Sequence, residues 1–195
     1  MLVVDAMTPE PVTIGADRST KEAMALLLRH GVTALPVVDA AGDLVGIVSE
    51  TDLIRAAVPP DPRAHLRSPG PDPTAPHLVE EVLTEAPLTA RVYDDVAATV
   101  ATMVAANVKS LPVLDAAGRL VGIVSRSDVL RLLARPDGVI AAEIHETLRT
   151  AGEPDWRVSV ADGVVTITGP ERPADRSLAT SVAHTVPGVV EVRTT

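Results

Sequence analysis

The chain has 195 residues, 46% of them hydrophobic and 22% charged, which is enough to bury one large or two small cores. Its net charge of −9 disfavours DNA or an anionic membrane as a general partner. One Trp, one Tyr and no Phe leave no stacking platform for single-stranded nucleic acid, and the absence of Cys excludes disulfides, thiolate metal sites and a cysteine nucleophile.

The first residues, MLVVDAMTPEPV, lack a basic region followed by an apolar stretch, and no run approaches the roughly 20 apolar residues of a membrane span. A cytoplasmic protein is the expectation. Val12–Ile14 reads as a short extended segment. Ser19-Thr20-Lys21-Glu22 has capping-box spacing, with Ser19 as N-cap. Ala23, Met24, Leu27 and Leu28 follow at helical spacing, and Gly31 stands where a left-handed C-terminal residue is wanted. Leu35–Val38 and Leu44–Val48 are apolar runs around the polar turn Asp39–Asp43, a hairpin pattern. Gly46 inside the second run marks a close backbone approach. Ser49 opens a last helix through Arg55.

Seven prolines fall between Pro59 and Pro76, so this stretch reads as an extended or mobile connector, expected to order over a cleft when ligand binds. Beyond it the first pattern returns. Residues 31–53 reappear at 107–129, shifted by 76 positions, with 15 of 23 residues identical. Leu88–Ala90 repeats the extended segment, Asp95 replaces Ser19 as the cap and Asn107 replaces Gly31. The substitutes suit the same jobs, since Asp caps and Asn tolerates positive φ.

The last third does not match the repeat. Val139–Leu148 is an amphipathic helix pattern with Ile140, Ile144 and Leu148 on one face. Trp156–Val160 alternates as a strand, Ala161-Asp162-Gly163 is a hairpin turn, and Val164–Gly169 returns. A helix over Pro173–Thr185 and a strand over Val189–Arg193 complete the order α-β-β-α-β. Gly163, Gly169 and Gly188 read as turn glycines.

The fold class expected is α/β (α+β): a pseudo-twofold pair of like units, at 1–58 and 81–135, joined by a connector at 59–80. A small αββαβ two-layer domain at 137–195 follows. A lone unit of this size is marginal, so the two should pair and form two related clefts.

Each unit carries the same two motifs: Gly31-Val32-x-x-Leu35-Pro36 with Ser49-x-x-Asp52, and Val108-x-x-Leu111-Pro112 with Ser125-x-x-Asp128. On these residues the first 135 positions resemble a tandem pair of cystathionine-β-synthase (CBS) domains, a Bateman module. The resemblance implies an adenine nucleotide (AMP, ADP or ATP) or S-adenosylmethionine as a regulatory ligand, with no catalytic cofactor, and a homodimer. It implies that Asp52 and Asp128 accept from ribose hydroxyls and that Ser49, Thr51, Ser125 and Ser127 contact ribose or phosphate. Thr33, Ala34, Lys109 and Ser110 would lie along the adenine or phosphate edge, with Pro36 and Pro112 beside them. VSVADGVVTITG and VPGVVEVRTT resemble a BON domain, a family associated with phospholipid or envelope binding.

The chemistry of the residues agrees. A carboxylate accepts both hydrogen bonds of a vicinal diol, and a helix N-terminus suits a phosphate. The same Ser-x-x-Asp spacing also suits a capping pair, and both roles can coexist. Arg126 and Lys109 beside the second motif favour an anion there, whereas Glu50 opposes one at the first, so the Asp128 cleft is expected to be the main nucleotide site. The five histidines, His30, His65, His77, His145 and His184, lack ligand spacing. No phosphate loop and no Ser-His-Asp set is present. The expectation is therefore a non-catalytic sensor without a metal, acting on an unidentified protein target. The competing reading is an envelope- or lipid-associated adaptor in which the paired units only dimerise.

Overall fold

A computed structural model of the chain describes residues 1–58, 76–152 and 155–195. The connector expected at 59–80, up to residue 75, and His65 with it, lie outside the described residues. The elements in chain order are α1 (Val3–Ala6), β1 (Thr8–Pro9), β2 (Ile14–Gly15), α2 (Thr20–His30), β3 (Ala34–Val38), β4 (Leu44–Ser49) and α3 (Glu50–Ala57). A 3₁₀ turn at Val79–Glu81 leads to β5 (Thr84–Glu85), β6 (Ala90–Arg91), α4 (Val96–Ala105), β7 (Ser110–Leu114), β8 (Leu120–Ser125) and α5 (Arg126–Leu133). The last third contains α6 (Asp137–Thr150), β9 (Arg157–Ala161), β10 (Val164–Thr168), α7 (Pro173–Thr185) and β11 (Glu191–Thr194).

The backbone divides into two compact units, one of Met7–Val92 with Thr102–Ser125, the other of Met1–Ala6, Tyr93–Ala101 and Arg126–Thr195.

The first of these holds two four-stranded sheets of the same design, ordered β2-β3-β4-β5 and β1-β8-β7-β6. Each is built on an antiparallel hairpin, β3–β4 or β7–β8, flanked by a two-residue parallel strand. The fourth strand is exchanged between the repeats. β5, which leads into repeat two, pairs with β4 at Gly46↔Glu85, and β1, which leads into repeat one, pairs with β8 at Pro9↔Gly122. The close approach expected at Gly46 is made here: a Cβ at Gly46 would lie 2.9 Å from the Thr84 carbonyl oxygen and 2.7 Å from Leu83 Cδ1. Both exchanged strands are followed by a left-handed residue, Glu10 or Ala86, one repeat apart.

Local chemistry sets the helix ends. Ser19 Oγ accepts from the Glu22 N–H at 3.1 Å, and Gly31 closes α2 at φ +64°. In repeat two Asp95 Oδ1 accepts from the Ala97 N–H at 2.6 Å and Asn107 adopts φ +54°. Pro36 and Pro112 sit inside three-strand surroundings, where a missing N–H is usually costly. The ladders with β2 and β6 begin only at Val37 and Val113, which leaves each proline without a neighbour on that side. The core of the first sheet gathers Ile14, Leu27, Leu35, Val37, Val48 and Leu53 with Val79. Val79 is fully buried, and the Val79 and Glu80 N–H groups donate to the Arg18 and Ala16 carbonyls. Residues 77–80, read as the end of a connector, are thus packed structure.

The second unit contains the C-terminal domain. Its sheet is ordered β11-β10-β9, with β9–β10 an antiparallel hairpin and β11 parallel to β10. The Asp162-Gly163 turn has both residues at positive φ (+51° and +75°), the geometry that two-residue hairpins favour. Ile140, Ile144 and Leu148 of α6 are buried with Trp156, Val165, Ile167, Ala179 and Ala183. The expected α-β-β-α-β order is present, with the helix running two residues further at each end. Gly163, Gly169 and Gly188 all take positive φ.

Candidate functional site

In repeat one the two motifs meet at the open end of a hairpin. Ala34 opposes Ser49 across β3–β4, and the Glu50 N–H donates to the Thr33 carbonyl at 3.0 Å. The strand therefore delivers Thr33 and Ala34 beside the first turn of α3, where Ser49, Thr51 and Asp52 stand. Thr33 and Thr51 are exposed, Ser49 and Asp52 half-buried, Ala34 and Pro36 buried.

Asp52 caps its own helix. Its Oδ2 accepts from the Ser49 N–H at 3.0 Å and from Ser49 Oγ at 2.6 Å, while the Asp52 N–H donates to Ser49 Oγ at 3.4 Å. The capping alternative for this motif is therefore realised. It consumes one carboxylate oxygen only, and Oδ1 takes no hydrogen bond among the described residues. A carboxylate so held is fixed in direction and still has acceptor capacity toward solvent.

Repeat two repeats the strand geometry. Ser110 opposes Ser125 across β7–β8 and is itself 7% exposed. Pro112 is buried, Lys109 exposed. Ser125 ends β8, and Arg126, Ser127 and Asp128 open α5. Asp128 is only 8% exposed, and its Oδ1 accepts from Arg131 Nη1 at 2.8 Å. A carboxylate this buried needs a charged partner, and Arg131, one turn along the same helix, supplies it. The i,i+3 spacing was visible in the sequence, but that Asp128 would be the buried member of the pair was not.

One contact changes the charge argument. Lys109 Nζ lies 2.5 Å from Glu50 Oε1, so the lysine of the second motif set pairs with the glutamate of the first. The expectation of unequal clefts treated these charges as belonging to separate sites. Here each is the other's partner. In the sequence Glu50 stands only as an unfavourable neighbour of the first motif, and neither motif taken alone signals its link to Lys109.

Among the described residues no group of three or more His, Asp or Glu is placed to hold a metal ion, and no helix is long and apolar enough to cross a membrane.

A hairpin followed by a short helix, built twice, defines a tandem-repeat domain pair. The chain belongs to the CBS domain family, whose model matches residues 3–59 and 79–135, and a BON domain model matches residues 136–194. It is 30% identical over 131 residues to the L-aspartate semialdehyde sulfurtransferase of Methanocaldococcus jannaschii; the match covers 67% of this chain and 23% of that protein. The chain thus spans about a quarter of that relative's length. Among solved structures, CBSX2 of Arabidopsis thaliana, crystallised with AMP, is 31% identical with a TM-score of 0.56, over 67% of this chain and 93% of that one. The CBS domain pair of protein MJ0100, in complex with 5′-methylthioadenosine and S-adenosyl-L-methionine, is 30% identical with a TM-score of 0.56, over 69% of this chain and 100% of that one.

Proposed function

We propose that this protein is a non-catalytic sensor that binds an adenine nucleotide or related adenosyl ligand through its CBS pair. The observation that carries the reading is the hairpin register that brings Thr33 and Ala34 to Ser49, Thr51 and Asp52. Asp52 Oδ1 has the free acceptor capacity that a ribose diol requires. Pro36 would shape the wall of the cleft. In repeat two, Lys109, Ser110, Pro112 and Ser125, which share one compact unit, would line the edge that meets a second ligand. The solved relatives that hold AMP, 5′-methylthioadenosine and S-adenosylmethionine support the ligand class.

A thermal-shift panel of AMP, ADP, ATP, S-adenosylmethionine and NADH tests this reading. A ligand at 100 times its dissociation constant adds about 2.7 kcal/mol to stability, which for a chain of this size is roughly 5–10 °C. A shift for one adenosyl ligand supports the sensor. No shift across the panel, together with co-sedimentation on anionic liposomes, would replace it by the lipid-associated adaptor.

The output would pass to the BON domain. α5 belongs to the same compact unit as that domain, and the junction after it is tied down. Arg135 Nη1 donates to the Pro187 carbonyl at 3.0 Å and its guanidinium pairs with Glu143. Asp137 accepts from the Asp162 and Gly163 N–H groups at 2.9 and 3.0 Å. A ligand that moves α5 would move the BON domain with it.

A second copy of this chain would be one partner. Leu28 and Ile54 are 85% and 59% exposed, and their counterparts 76 residues on, Val104 and Leu130, are 61% and 65% exposed. Leu28 and Ile54, which share one compact unit, would offer a second copy of the chain an apolar contact. Leu28→Glu with Ile54→Glu is expected to convert a dimer to a monomer in light scattering without lowering helix content. An unchanged mass would remove this surface from the interface.

A further inference from the structure

The Glu50–Lys109 pair joins the two motif sets that would hold the ligands. Glu50 is the first residue of α3, where an acidic side chain is favoured by the helix dipole. Its carboxylate therefore stands where a ligand phosphate would otherwise be drawn. Lys109 precedes Ser110, whose strand position faces Ser125. The lysine and glutamate side chains are 61% and 38% exposed. Such a pair is cheap to exchange, since exposed ion pairs contribute only about 0.2–1 kcal/mol.

We propose that Glu50 and Lys109 form an exchangeable ion pair that sets the charge preference of the two clefts: an anionic adenosyl ligand at the Ser110–Ser125 edge takes Lys109, and the released Glu50 favours a cationic adenosyl ligand at the Ala34–Ser49 edge. This deepens the sensor reading and rests on it. The two edges then respond to different ligands although their motifs are nearly the same. Because binding coupling is reciprocal, each ligand should raise the affinity for the other.

Three probes share the adenosyl group and differ in charge. AMP carries a phosphate dianion, 5′-methylthioadenosine is neutral and S-adenosylmethionine carries a sulfonium cation. Isothermal titration of all three into the full chain, at low and at high salt, makes the test. Glu50→Gln is expected to tighten AMP about three- to fivefold, leave 5′-methylthioadenosine unchanged and weaken S-adenosylmethionine, and Lys109→Met should give the opposite signs. Saturating AMP should tighten S-adenosylmethionine in the wild type but not in Lys109→Met. The differences should shrink at high salt, as exposed charges are screened.

Equal shifts of all three probes in a variant would mean that the pair is only structural, and no shift in either variant would mean that it faces no ligand; both results overturn the proposal. If the wild type binds none of the probes, the sensor reading falls and the charge selection with it. If the wild type binds them and the variants match it, the charge selection alone falls.

Discussion

Gly46→Ala should destabilise the protein by about 2–3 kcal/mol, the cost of forcing atoms into a packed contact that cannot open. The added methyl would meet the Thr84 carbonyl oxygen at 2.9 Å and Leu83 Cδ1 at 2.7 Å. The leucine can rotate, but the carbonyl belongs to β5 and is held in the ladder at Ile47↔Thr84. Relief therefore requires the exchanged strand to lift from β4, which gives up backbone hydrogen bonds. Gly122, one repeat on, provides an internal comparison. Its Cβ would meet flexible Met7 Sδ at 2.7 Å and the Thr8 carbonyl oxygen at 3.1 Å. Gly122→Ala should cost about 1 kcal/mol, the lower end of the same range. Urea unfolding of both variants measures the two values. Equal midpoints would mean that β1 and β5 are held equally loosely, and that strand exchange contributes little to the pairing of the repeats.

What the sequence revealed is what local chemistry encodes. Ser19, Gly31, Asp95 and Asn107 announce their helix ends because a cap or a left-handed residue is recognisable without knowing the partner. Asp162-Gly163 does the same for the hairpin, and Ile140, Ile144 and Leu148 for the buried face of α6. The exchanged strands left almost no trace. Two residues are too short for an alternating pattern, and β1 pairs with residues more than a hundred positions away. Few letters are shared between residues 3–10 and 79–86, so the repeat looked shorter than it is. Val3 and Val79 are nevertheless both fully buried, and Glu10 and Ala86 share a left-handed backbone. Gly46 and, one repeat on, Gly122 gave the hint, because their missing side chains record the strands that cross them.

The candidate site was legible as residue types and illegible as charge. Spacing marked Ser49 and Asp52 as a capping pair, which the structure shows, while their ligand role came only from the family resemblance. Lys109 and Glu50 were assigned to opposite sites because each was weighed beside its neighbours in the chain. Their contact spans 59 residues, and nothing in either motif alone shows it.

Asp52→Ala is expected to produce two losses that can be measured separately. The first is structural. Oδ2 holds the Ser49 N–H and Oγ at the start of α3, and removing a capping side chain costs about 1 kcal/mol, within a range of roughly 0.5–2. The second concerns ligand. A diol that donates to a charged carboxylate loses bonds worth about 1.5–3 kcal/mol, so affinity at the repeat-one cleft should fall roughly 10- to 100-fold. Asp52→Asn distinguishes the roles. An asparagine can keep its carbonyl toward Ser49 and preserve most of the cap, but it then presents its amide donors, not an acceptor, where Oδ1 stood. Its melting temperature should stay near the wild type while titration of the adenosyl ligand shows nearly the full loss. If the asparagine variant melts like the alanine variant but binds like the wild type, Asp52 is a cap and the diol is held elsewhere. Asp128→Asn, measured beside it, puts the second motif on the same scale: a loss of affinity there without a large loss of stability would mark Asp128 as a ligand contact.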